Sequence, residues 1–218
     1  ATGMRGGLRF PAGAGSGSSS HLPGDLLTHI RAARYEIVLI GPVRAGKTTV
    51  GQLVADRLSL PTCSMDDVCQ RYYKEVEEST RLECEKIKQE VKGSDVVRAF
   101  AAMAPLIAHA VERLFSDYRD CVFDMGAGHT VLEGEYMARI ARVLDPFPNV
   151  ILLTPSPSKY ESVVILQERL SWPFQRELNE TFVRHSANYD LAKRIIYTKG
   201  LTPGETCDEV VRKCLRSV

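Results

Sequence analysis

The stretch EIVLIGPVRAGKTTVGQLVADRL, residues 36–58, constrains the fold more than any other part of the chain. A short apolar run, EIVLI, enters a loop, and Val50, Leu53, Val54 and Leu58 then recur at helical spacing. Between them the spacing is G-x-x-x-x-G-K-T, with Gly41, Gly46, Lys47 and Thr48 in the required positions. A strand, a glycine loop and a helix in that order turn successive amide hydrogens inward and aim the positive end of the helix at the same point. Such an arrangement cradles phosphates. Gly41, Arg44, Ala45, Gly46, Lys47, Thr48 and Thr49 are therefore the candidate nucleotide-binding residues. The Lys47 ammonium would reach the β and γ phosphates, and the Thr48 hydroxyl would serve Mg²⁺, which keeps most of its water and takes few protein ligands.

Beyond this stretch, short apolar runs alternate with helical segments, the pattern of a parallel sheet covered on both faces. Strands are expected at 36–40, near 61–64, at 120–125, 149–154 and 194–198. A further helical spacing runs through Val97, Ala101, Ala104 and Ala108. Thr202-Pro203-Gly204-Glu205 offers a capping threonine, a proline at the first helical position and a glutamate at the third, and Ser156-Pro157 repeats the first two signals. The segment KEVEESTRLECEKIKQEVK, 74–92, mixes charges at helical spacing and reads as a solvated face. Val122-Phe123-Asp124 ends an apolar run in a carboxylate. At a strand end, Asp124 either contacts a magnesium ion through water or caps the following turn.

The first 24 residues carry seven glycines, four serines and no acidic residue, too little apolar surface to offset the entropy of ordering. A disordered leader over 1–24 and one domain over 25–218 is the expected organisation. Arg5, Arg9 and the lack of acids suit an organellar import leader, and upstream-translated sequence with a start at Met4 suits them as well. A cytoplasmic location is otherwise expected. The net charge of +1 and the absence of a long basic run argue against a nucleic-acid partner, and no apolar stretch has membrane-spanning length. None of the six cysteines forms a C-x-x-C pair or a metal spacing, so reduced thiols are expected. Cys207 and Cys214, two turns apart on the last helix, read as small hydrophobes.

Taken in order, IVLIGPVRAGKTTVGQLVADRLSLP, SMDDV, VFDMGAG and VRHSANYDLAKRIIYTKGLTPGE resemble the shikimate kinase family of P-loop small-molecule kinases over roughly residues 34–217. The resemblance implies a three-layer α/β P-loop kinase fold with a five-stranded, mostly parallel sheet in the order 2-3-1-4-5. It implies ATP and Mg²⁺ as cofactors and transfer of the γ-phosphoryl group to a hydroxyl of a small polar acceptor. By the same resemblance the catalytic candidates are Lys47, Asp66, Arg184 and Arg169, and the metal candidates are Thr48 and Asp124. The acceptor candidates are Asp66, Arg98, Gly126, Ala127 and Gly128.

Several positions depart from the family pattern. Ser64 stands where the first acid of the D-x-D pair belongs, and with Asp67 it could instead form a capping box. Ala127 occupies the centre of the glycine triplet. Residues 169–184 fall at a mobile lid, yet Arg169 and Arg176 flank Trp172-Pro173-Phe174 without the family's lid pattern, and either arginine could pair with Glu168, Glu177 or Glu180. Arg98 and Arg184 could likewise be surface residues, and His185 reads as structural. Two alternatives stay open: a kinase for another acceptor (nucleoside, sugar acid or antibiotic hydroxyl), and a nucleotide-binding regulatory protein that has lost acceptor chemistry. A monomer or weak dimer is expected.

Overall fold

The run at 37–40 forms a central strand because each of its faces meets a different layer of helices. In the computed structural model, which describes residues 8–9, 36–91, 95–170 and 173–215, all four residues of Ile37–Ile40 are fully buried. Side chains alternate across a strand. Val38 and Ile40 accordingly join one core with Phe123, Met125 and Leu152, and Ile37 and Leu39 join another with Val122, Ile151 and Leu153.

The sheet contains β1 (Leu8–Arg9), β2 (Ile37–Ile40), β3 (Thr62–Ser64), β4 (Val122–Asp124), β5 (Asn149–Thr154) and β6 (Arg194–Tyr197), in the order β1-β3-β4-β2-β5-β6. The last five are parallel, and numbered among themselves they run 2-3-1-4-5. The two-residue β1 adds an antiparallel edge, with Leu8 opposite Cys63 and Arg9 opposite Thr62. It falls within the stretch expected as a leader; the rest of that stretch, residues 25–35 and Trp172 lie outside the described residues.

Helices cover both faces. On one side lie α1 (Lys47–Leu58), with Val50, Val54 and Leu58 buried, and α10 (Pro203–Leu215), which buries Cys207, Val210, Val211 and Cys214. On the other lie α2 (Met65–Tyr73), α5 (Ala104–Asp117), α6 (Gly134–Leu144) and the short α9 (Ala187–Leu191). Between these run α3 (Glu78–Val91), α4 (Val96–Ala101), α7 (Lys159–Glu168) and α8 (Pro173–Arg184). The six cysteines are free and buried, and burial pushes the Cys214 thiol up to about 12.

Three local expectations are corrected. The spacing through Val97, Ala101, Ala104 and Ala108 suggested one helix, but the chain breaks between α4 and α5, where Pro105 occupies the first turn of α5 and cannot donate back into a preceding turn. The helix after β5 is capped by Ser158, whose hydroxyl accepts from the Glu161 amide at 3.2 Å, two residues later than Ser156-Pro157 suggested. Ser156 instead donates to Glu161 and accepts from the Ser158 amide. At α2, Ser64 is the N-cap by position but makes no side-chain capping bond. The box at Thr202 does form: the Glu205 amide donates to the Thr202 hydroxyl at 3.2 Å and the Thr202 amide to the Glu205 carboxylate at 2.7 Å.

Candidate functional site

The loops leaving the carboxyl ends of β2, β3 and β4 converge at the crevice where parallel sheets of this kind receive ligands. The β2 loop is shaped by its backbone. Gly41 has φ 141°, and a Cβ there would run into the carbonyl oxygen of Leu153 on β5, so the loop can pass the neighbouring strand only as glycine. Gly46 (φ 96°) then turns the chain into α1, accepting from the Val50 amide at 2.9 Å.

Lys47 is buried at 8% exposure, and its ammonium donates to the carbonyls of Gly41 at 2.9 Å and Pro42 at 3.0 Å. Burial pulls its pKa down, and the charges of Asp124 and Asp66 work against that shift. The Thr48 hydroxyl donates to Asp124 Oδ2 at 2.6 Å, which brings the end of β4 to the start of α1. Burial raises the Asp124 pKa, while the Thr48 bond and the Lys47 charge lower it. A buried ammonium folded onto its own loop, beside a hydroxyl and carboxylate pair, fits the phosphates and magnesium of a nucleotide. Among the described residues no group of three or more His, Cys, Asp or Glu could hold a metal unaided.

A cavity of 640 Å³ opens above this loop. Asp66, Asp124, Ala127 and Gly128 line it together with Arg44, Gly46, Lys47, Thr48 and Thr49. A smaller cavity of 210 Å³ lies on the other side of Thr48 and Asp124, bounded by Ser64, Asp66 and Asp67. Gly126 sits beneath: a Cβ on it would collide with Asp66 Oδ1 and His129 Nδ1, so the carboxylate and the imidazole both pack against a bare α-carbon.

His129 carries no expectation from the sequence, yet it is buried at 9% exposure and lines the cavity. Its Nε2 lies 3.0 Å from the Tyr73 hydroxyl, while Nδ1 is buried without a hydrogen-bond partner among the described residues. Burial lowers its pKa to about 4 against the pull of Asp66, so near neutrality the ring is uncharged. Whichever of the two donates, the Tyr73 hydroxyl and His129 Nε2 are hydrogen-bond partners. The position of His129, one residue past the glycines that follow a strand-end aspartate, is the signal that could have found it. Tyr73 had none beyond helical periodicity.

The expected lid is an ordered helix across most of its length. Asn179 of α8 is almost fully buried and clasps the phosphate loop: its Oδ1 accepts from the Val43 amide at 2.7 Å and its Nδ2 donates to the Val43 carbonyl at 3.3 Å. Phe182 of α8 meets Phe100 of α4 edge to face, ring centroids 5.0 Å apart, and a Cβ on Gly128 would strike the Phe100 ring. Arg169 donates from Nη1 to the Arg44 carbonyl at 3.2 Å, so it reaches the phosphate loop.

Three arginine candidates do not line the cavity: Arg98, Arg184 and Arg169, the last exposed and reaching only the Arg44 carbonyl. Arg184 is exposed and pairs with Glu180 at 2.6 Å, one turn away on the outer face of α8. With Asn179, Phe182 and Val183 facing inward, the helix turns Arg184 away. Arg98 is exposed on α4, whose amide at that residue is capped by Asp95, and it does not line the cavity. Arg176 is also exposed, and His185 meets Glu133 at 2.7 Å in a structural contact.

These loops and this sheet order define a P-loop α/β fold. Among solved structures the chain is similar to the shikimate kinase from Acinetobacter baumannii in complex with shikimate, with a TM-score of 0.58, covering 87% of this chain and 97% of that one. At 16% identity the likeness is one of fold. No protein-family model matches the sequence, and no curated protein matches it. Among the described residues no helix is long and apolar enough to cross a membrane.

Proposed function

We propose that the protein is an ATP-dependent small-molecule kinase that transfers a phosphoryl group to an alcohol. The observation that carries this reading is the Thr48–Asp124 hydrogen bond of 2.6 Å, which joins the phosphate loop to β4 within a cavity that Asp66 also lines. When bound, MgATP supplies the electrophilic γ-phosphorus: its bond to the bridging oxygen breaks as a new bond to the alcohol oxygen forms. Lys47, Gly46 and the amides of the loop would hold the phosphate chain, and Thr48 and Asp124 the magnesium. Asp66, which lines the cavity within charge range of Lys47 and Asp124, would orient the alcohol and take its proton. Arg169, whose Nη1 donates to the Arg44 carbonyl, would offset charge there. Phe182 and Asn179 close one wall and limit entry of water.

The test is ADP release from MgATP by the full chain with a panel of alcohols that includes shikimate, using Lys47→Ala as blank. Acceptor-dependent release that disappears in the variant is the expected result; equal release by the variant, or none with any alcohol, overturns the reading. One observation favours a nucleotide-binding regulatory protein instead. On the charged α3, Leu82 is 63% exposed beside a surface cavity of 460 Å³ lined by Glu85, Lys86, Gln89 and Glu90. That reading predicts nucleotide affinity without turnover.

A further inference from the structure

The two ends of the 640 Å³ cavity differ in chemistry. At the phosphate end stand Arg44 and Lys47, and among the described residues they are the only arginine or lysine in its lining. The opposite end is walled by Phe100, Ile107, Leu178 and Phe182. Asp66 stands between the two ends, close enough to Lys47 and Asp124 to act on both by charge, and the two arginines that could have answered an anion at the apolar end, Arg98 and Arg184, are turned to solvent. A carboxylated acceptor lying along the rings would have to bury its charge at the apolar end with no guanidinium to pair with, which selects against it.

Hydrogen-bonding capacity at that end is limited to a few groups, among them the Gln175 side chain on α8, one turn before Leu178. The Tyr73 hydroxyl is engaged by His129 Nε2, and His129 Nδ1 lies out of solvent behind Gly126. A polyol bound against the rings would bury hydroxyls that find no partner, at a cost per group that an apolar ligand avoids. One hydroxyl is catered for at Asp66 and one further polar substituent at Gln175. The Phe100 and Phe182 rings, held edge to face with interplanar angle 68°, offer a preformed wall for a flat apolar body.

We infer that the acceptor is an uncharged alcohol with a flat apolar or aromatic body, seated against Phe100 and Phe182 with its hydroxyl at Asp66. The inference rests on the kinase reading and narrows it: carboxylated cyclitols, sugar acids and nucleosides are poor occupants of this wall.

The experiment compares three probes on the full chain with Mg·ADP present: benzyl alcohol, 4-(hydroxymethyl)benzoate and shikimate, each titrated by ligand-observed NMR. Benzyl alcohol is expected to bind about tenfold or more tightly than either carboxylate, since an unpaired charge buried against the rings costs at least that much. Phe100→Ala should weaken benzyl alcohol several-fold while Mg·ADP affinity, titrated separately, stays as in the wild type. Equal or tighter binding of either carboxylate, or no binding of benzyl alcohol, overturns the inference. If Phe100→Ala fails to fold, Phe182→Leu serves the same purpose, and the wild-type ranking alone decides the charge question. Mg·ADP binding lost in Lys47→Ala but kept in wild type reports on the nucleotide reading independently, so a wrong acceptor class and a wrong kinase assignment give different results.

Discussion

The proposed phosphate end and the proposed acceptor end of the cavity are built on different principles. At the phosphate end the decisive groups are main-chain: the αL turn at Gly46, the passage of Gly41 under Leu153, and a lysine folded onto two carbonyls. At the acceptor end the decisive groups are side chains brought from five elements or loops: Asp66 and Tyr73 from α2, Phe100 from α4, Ile107 from α5, His129 after β4 and Phe182 from α8. Backbone geometry admits few residue types at each position, whereas a wall of side chains can be rewritten one residue at a time without disturbing the sheet. The likeness in fold to the shikimate kinase from Acinetobacter baumannii therefore concerns the sheet and the loops that leave it, and says nothing of what either end binds.

The contrast can be broken most directly at Lys47. Lys47→Ala should lower acceptor-dependent ADP release by about three orders of magnitude, the scale of losing a fixed charge on a transferring phosphoryl group. Steady-state kinetics check it, and retained turnover would remove the phosphate end from the argument. Next comes the main chain. Gly41→Ala has neither space nor an allowed φ and should destabilise the fold by about 2–4 kcal/mol, while Gly46→Ala, with open space around its Cβ, should cost about 1 kcal/mol. Urea denaturation of the pair reads the difference; equal losses would mean that Leu153 does not constrain the loop.

At the acceptor end His129 gives a pH signature. Its folded pKa of about 4 lies below the ordinary 6.5, so the unfolded chain takes up a proton that the folded chain refuses. The stability held above pH 6.5 should then fall as pH drops toward about 4, by roughly 3 kcal/mol from this residue. Asp66, Lys47 and Tyr73 face the ring, and their own contributions remain in His129→Gln. A flatter stability profile in that variant over the same window is the expected result, and an unchanged slope would place the ring's titration elsewhere. The smallest effects belong to Arg98→Ala and Arg184→Ala, which should leave turnover within about twofold of wild type because both side chains are solvated. A hundredfold loss in either would bring the arginine back to the acceptor and erase the contrast between the two ends.

What the sequence made legible follows the same division. The strand, glycine loop and helix at 36–58 could be read because each local rule there is steric. The box at Thr202 and the inward face of Cys207 and Cys214 were legible for the same reason, since periodicity and capping act within one or two turns. The break between α4 and α5 was hidden because apolar spacing continues across Ala102 and Met103 and only Pro105 marks it. Arg184 was misleading because its neighbours in sequence match a kinase motif, while the helix face it occupies depends on Asn179 and Phe182 finding partners far along the chain. No local rule reports that Phe100 and Phe182 meet.

The buried, unpaired thiols have a consequence for handling and for measurement. Cys63 and Cys121 lie in the sheet core, Cys84 on α3, and Cys207 and Cys214 under α10, so a thiol reagent finds none of them until the region around it opens. The order in which they become labelled is thus a map of local opening written into the native chain. Ligand added at the cavity should slow the clock at Cys69 on α2 before it slows that at Cys214.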